Sequence, residues 1–141
     1  MTDTFVFTFS SKIDNIRVIR SSLRTFLKLK RISDAEIFDT ELAINEALAN
    51  VIEHTYQYTQ EEIIILRLFW DDERRECIFE IQDHGKPVDI KKIGSRDLDD
   101  LKDHGLGVYL MKNIMNEIEY RPIENGNILY MKKKFSDEGK K

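Results

Sequence analysis

Sulfur chemistry has almost no footing in this chain. Cys77 is the one cysteine among 141 residues, so an internal disulfide cannot form and a zinc site built on several thiolates is excluded. Its setting, Cys77-Ile78-Phe79, reads as that of a small core residue. Excess positive charge is missing too. The net charge is −4, far from the basic footprint of a nucleic-acid binder. Lys132, Lys133, Lys134, Lys140 and Lys141 gather near the C-terminus, as expected of a solvated strand end and a frayed tail. Long apolar runs are lacking as well. No stretch is long enough to span a bilayer, and the opening MTDTFVFTFSS lacks the basic region and apolar run of a signal peptide. The cytoplasm is therefore the expected location, with no membrane partner. There is no internal repeat, low-complexity tract or linker, so residues 1–141 are expected to form a single domain. At 41% apolar and 34% charged residues the composition is that of an ordinary globular protein.

What is present is a clear alternation of patterns. Phe5, Phe7 and Phe9 alternate with Val6 and Thr8, which predicts a first strand. Ser10 and Ser11 offer an N-cap for a first helix. Its apolar positions Ile13, Ile16, Ile19, Leu23, Phe26 and Leu27 carry it to about Leu29. Ser33-Asp34-Ala35-Glu36 has the form of a capping box and opens a second helix, expected to run to about His54. Glu61 to Asp71 and Glu76 to Asp83 read as two strands of a hairpin around the polar turn Asp71 to Arg74. A long loop is expected from His84 to His104, and a connection of that length in a compact domain is often functional. A third helix is expected over Gly105 to Ile118. A closing hairpin, Ile118 to Arg121 and Ile128 to Phe135, turns around Asn125-Gly126-Asn127. The order β-α-α-β-β-loop-α-β-β predicts an α+β fold, a two-layer α/β sandwich with a mostly antiparallel sheet covered by helices on one face.

Three short segments carry candidate chemistry. In the second helix Glu46, Asn50 and His54 are spaced by four and share a face, while Ile44, Leu48, Val51 and Ile52 lie opposite. Any amphipathic helix has such a polar face. A carboxylate and an amide one turn apart can also share a hydrated magnesium ion and a reacting oxygen. The flanking Ala43, Ala47 and Ala49 would let a ligand approach closely. His54 reads as a structural hydrogen-bonding group. Asp83, at the end of an apolar strand and followed by Gly85, fits a plain turn. It equally fits a carboxylate that accepts a hydrogen bond from an exocyclic amine such as that of adenine, with Gly85 admitting close approach of the ring. Gly105 and Gly107, at the expected start of a helix, would expose backbone N–H groups to phosphate. They also fit a loop joined to a helix. No Gly-Lys-Ser/Thr follows, and no parallel βαβ unit surrounds them, so neither a Walker nor a Rossmann motif is present.

In this order the three segments resemble the GHKL ATPase superfamily, named for gyrase, Hsp90, histidine kinases and MutL. Asn45 to His54 is similar to the family's asparagine box, with Glu46 and Asn50 at its acidic and amide positions. Asp83 to Pro87 is similar to its D-x-G box, and His104 to Lys112 to its later glycine box. The short chain further resembles the anti-sigma-factor serine kinases of the RsbW and SpoIIAB kind. That resemblance implies a Bergerat ATP-binding fold, ATP and Mg2+ as cofactors, and phosphorylation of a serine on a STAS-domain anti-anti-sigma partner. It also implies sequestration of a sigma factor and a homodimer built on the first strand and helix. Carried over by position, Glu46 would be the catalytic base, Asn50 the magnesium ligand, and Asp83 and Gly85 the adenine contacts. Gly105, Leu106, Gly107 and Val108 would meet the phosphates, and the ATP lid would fall at about 86–104. Two positions depart from the family pattern. Pro87 stands where many members have a second glycine, which stiffens the loop, and Asn127-Ile128-Leu129 stands where a threonine near adenine is common. The alternative is a nucleotide-dependent binding module that regulates a non-sigma partner with little turnover. A detached histidine-kinase domain would need a phosphoacceptor histidine on a helical segment, and His54, His84 and His104 all fall in or beside the proposed site.

Overall fold

The computed structural model describes residues 2–87 and 101–137, with the backbone alone for 101–106. Five strands, β1 (Thr2–Ser10), β2 (Ile63–Asp71), β3 (Glu76–Asp83), β4 (Glu117–Ile123) and β5 (Gly126–Lys134), form one sheet in the order β1-β2-β3-β5-β4. Every neighbouring pair is antiparallel. Alternation sets the two faces. Ile64, Leu66, Leu68 and Trp70 of β2 and Cys77, Phe79 and Ile81 of β3 are buried, while the residues between them are only partly covered. Among the described residues three α-helices, α1 (Asn15–Leu29), α2 (Asp34–Asn50) and α3 (Leu101–Ile114), contribute to the same core, and α2 packs against both others. The fold is the α+β sandwich expected. Cys77 is fully buried, and burial pushes its thiol pKa well above the usual range.

Helix boundaries differ from the expectations in instructive ways. The N-cap of α1 is Asp14, not Ser10 or Ser11. The buried Ser11 is occupied elsewhere: its hydroxyl donates to Thr59 O and accepts from Glu62 N. The cap of α2 forms at Ser33, which accepts from Glu36 N at 3.3 Å. Glu36, rather than closing the box, accepts from the backbone and hydroxyl of Ser136 beyond β5. The α-helical run ends at Asn50, and Val51–Thr55 forms a π-helical turn. Tyr56 N bonds Val51 O at 2.9 Å, and left-handed φ angles at Gln57 and Tyr58 stop the helix. The buried Glu41 of α2 is matched by Arg24 of α1, whose Nε and Nη2 reach its two oxygens at 2.9 and 2.7 Å. A buried carboxylate without such a partner would be costly.

Gly105 and Gly107 do not precede α3 but lie within it, because the helix starts at Leu101. Glycine inside a helix costs roughly 1 kcal/mol, so its presence at 107 calls for a packing reason. Of the lid expected at about 86–104, residues 88–100 lie outside the described residues, and 101–104 belong to α3.

Candidate functional site

The β3 end is built around the buried Asp83. Its Oδ1 accepts from Gly85 N at 2.9 Å and from Asn127 Nδ2 at 3.0 Å. The second bond crosses from the second residue of β5, since Asp83 and Asn127 are register partners. Asn127 Nδ2 also donates to Lys86 O at 3.0 Å, which ties the segment after β3 to β5. A carboxylate has about four acceptor positions, so two donors on Oδ1 leave Asp83 with capacity for an incoming amine. Glycine is required beside it. A Cβ on Gly126 would stand 2.1 Å from Asp83 O, and one on Gly85 would stand 2.2 Å from Thr55 Cγ2.

The second half of the site is on α2. Glu46 and Asn50 are partly exposed on the face opposite the buried Ile44, Leu48, Val51 and Ile52, as the helical spacing indicates. A Cβ on Gly107 would lie 2.6 Å from Glu46 Oε2. Glycine at 107 thus lets α3 close onto the Glu46 carboxylate, the packing reason sought above. Val108 packs against the core.

One helical run connects the halves. Glu46 meets Gly107, and Thr55 at the far end of the π turn meets Gly85. At a rise of about 1.5 Å per residue these stations are roughly 13 Å apart along α2 and its extension. Gly107 thus lies against this helical run at Glu46, and Gly85, two residues after Asp83, lies against it at Thr55. The expected role of the alanines is corrected: Ala43 and Ala47 are fully buried core residues, and only Ala49 is partly covered. They allow close packing of helices rather than of a ligand. His54 is exposed, with Nε2 3.8 Å from Glu53 Oε2. Among the described residues no group of three or more His, Cys, Asp or Glu side chains could hold a metal. A magnesium ion held through Asn50 would take its other ligands from phosphate and water.

Two residues of this site carry no signal by spacing. Tyr56 is buried, and its hydroxyl accepts from His84 N at 2.7 Å and donates to Ile63 O at 2.6 Å. Thr55 contributes the methyl over Gly85. Gly126, read from the sequence as part of a turn, is instead a point of close strand approach.

A profile for the histidine kinase-like ATPase domain matches residues 9–133. The chain belongs to that family. Within this ATPase-domain family it is similar to the serine-protein kinase RsbW of Bacillus cereus, 27% identical over 130 residues that cover 86% of this chain and 79% of the relative. It is also 27% identical over 139 residues to the serine-protein kinase RsbW of Halalkalibacterium halodurans, covering 93% and 83%. Among solved structures it resembles part of the structure of the RsbU and RsbW domains of a Mycobacterium tuberculosis protein, with a TM-score of 0.70 and 17% identity. That match covers 96% of this chain and 33% of the other. It also resembles the SiaB–SiaC complex of Pseudomonas aeruginosa, with a TM-score of 0.65, 14% identity and coverage of 92% and 87%. The histidine kinase-like ATPase fold expected from the three motifs is the fold observed.

Proposed function

We propose that this chain is an ATP-dependent protein serine kinase of partner-switching regulation. It would phosphorylate a small STAS-domain anti-anti-sigma protein and bind a sigma factor while that protein is modified. The observation that carries the reading is the shared helix: Glu46 against Gly107 at one station, and at the other Thr55 against Gly85, whose N–H donates to the Asp83 carboxylate. Asp83 and Gly85 would hold the adenine edge and plane, and Asn50 a magnesium ion on the phosphates. Magnesium would supply neutralisation of the phosphate charge. Glu46 would accept the proton of the serine hydroxyl as its oxygen bonds to the γ-phosphorus and the bond to the β-bridging oxygen breaks, releasing ADP. For Gly105, Leu106, Gly107 and Val108 to offer N–H groups to phosphate, the first turns of α3 must open on binding. The names of the relatives support the kinase activity, and the expected site of action is the cytoplasm.

Titration of the chain with Mg-ATP, followed by phosphate transfer to STAS-domain proteins encoded beside it, tests the proposal. Glu46→Ala is expected to retain nucleotide binding and lose transfer by at least about 100-fold, the range of a positioned general base. Asn50→Ala is expected to lose magnesium-dependent binding as well. Transfer by Glu46→Ala at the wild-type rate would remove the base assignment. Saturable binding with no transfer to any candidate would favour the binding-module alternative.

A homodimer through β1 and α1 is part of the same proposal. β1 is an edge strand of nine residues. Its centre, Thr4-Phe5-Val6-Phe7-Thr8, reads the same in both directions. Antiparallel pairing with a second copy about Val6 would set Phe5 opposite Phe7, the kind of aromatic cross-strand pair that stabilises sheets. A cavity of about 500 Å³ between α1 and the sheet, lined by Phe5, Phe7, Phe26 and Leu29 among others, opens beside it. Light scattering is expected to report a dimer, and Val6→Lys a monomer. A wild-type monomer at micromolar concentration contradicts it.

A further inference from the structure

We infer that Tyr56 is a positioning residue for base recognition: its hydroxyl, together with the π turn that precedes it, sets the strand end on which Asp83 and Gly85 sit. The inference rests on the proposed nucleotide site and extends it to a residue outside the family motifs quoted above.

The argument is geometric. Asp83 is the last residue of β3 in register with β5, and His84 and Gly85 lie beyond that ladder. The His84 N–H is instead bonded to the Tyr56 hydroxyl at 2.7 Å, and the same hydroxyl donates to Ile63 O at 2.6 Å. Tyr56 therefore bridges the end of β3 and the start of β2, the antiparallel neighbour. The ring is buried. Burial, the largest influence, raises the phenol pKa, and the nearby Asp83 charge adds to the rise, against the His84 N–H bond, which lowers it. The hydroxyl thus stays protonated near neutral pH and keeps its donor for Ile63. The π turn is what puts Tyr56 and Thr55 there. Tyr56 N bonds Val51 O across five residues, and Thr55 Cγ2 occupies the space a Cβ on Gly85 would need. π turns of this kind recur at functional sites because the added residue re-aims the chain. The helix that carries Asn50 and Glu46 thereby also fixes the height of the Asp83 carboxylate.

The test uses the full chain, titrated calorimetrically with Mg-ATP and with Mg-GTP well below the thermal midpoint of each variant. Tyr56→Phe keeps the ring and removes the bridge. Its ATP affinity is expected to fall about tenfold, and the ratio of ATP to GTP affinity to fall with it. Loss of stability alone leaves that ratio unchanged. A Tyr56→Phe chain with wild-type affinity and wild-type selectivity overturns the inference while leaving the nucleotide reading intact. A wild-type chain that binds no Mg-ATP overturns both. Should Tyr56→Phe fail to fold, the Thr55–Gly85 contact decides. Gly85→Ala alone is expected to abolish binding, and Thr55→Ser with Gly85→Ala, which deletes the obstructing methyl, to restore a measurable part of it. Failure of the double variant to recover any affinity overturns the inference.

Discussion

Gly126→Ala is expected to lower the thermal midpoint by on the order of 10 °C and to abolish Mg-ATP binding even in the cold. The added Cβ would stand 2.1 Å from Asp83 O, 3.2 Å from Asp83 C and 3.3 Å from His84 Cα. All three are backbone atoms, so no side chain can swing away. Relief requires the end of β3 to separate from the start of β5, where Asp83 pairs with Asn127. Forced overpacking of this kind costs about 3 kcal/mol or more, which in a domain of this size corresponds to the stated shift. The same separation breaks the Asn127 bond to Asp83 Oδ1, which is why binding should go with stability. Circular dichroism melts and calorimetric titration read the two effects. A variant that melts within a degree or two of wild type would mean that the strands part without cost there.

Asp83→Asn separates base recognition from folding. The amide oxygen of the new side chain can occupy the place of Oδ1 and keep both bonds, from Gly85 N and Asn127 Nδ2. The amide nitrogen then replaces the other carboxylate oxygen and presents a donor where the adenine amine also presents one. Loss of a hydrogen bond to a charged group costs about 3 kcal/mol, on the order of 100-fold in affinity. The thermal midpoint of the free protein should move little. Unchanged Mg-ATP affinity would remove Asp83 from the base pocket, and with it the principal anchor of the proposed site.

Much of this was legible because apolar period and burial coincide. Ile64, Leu66, Leu68 and Trp70 alternate into the core as a half-buried strand requires, and β3 spans Glu76–Asp83 as read. The α2 face carrying Glu46 and Asn50 followed from spacing alone. Other features have no local signature. A π turn inserts its extra residue without altering composition, so the run through His54 reads as ordinary helix. The start of α3 at Leu101 has no local signal, because the charged stretch before Gly105 lacks an apolar period and glycine reads as a boundary. Ser11 reads as a candidate cap beside Ser10, while its actual partners, Thr59 and Glu62, are far off in the chain. Gly126 and Tyr56 act through contacts between β3 and distant segments, which no window of sequence contains.

The lone sulfhydryl has a practical consequence. Cys77 is sealed between the sheet and the helices, with its thiolate strongly disfavoured. Maleimide dyes should pass it by in the native protein, so one new cysteine on α3 and another on the rim of β3 could be labelled as a fluorescence ruler without first engineering the natural one away. The distance between α3 and the end of β3 could then be followed in solution as nucleotide is added.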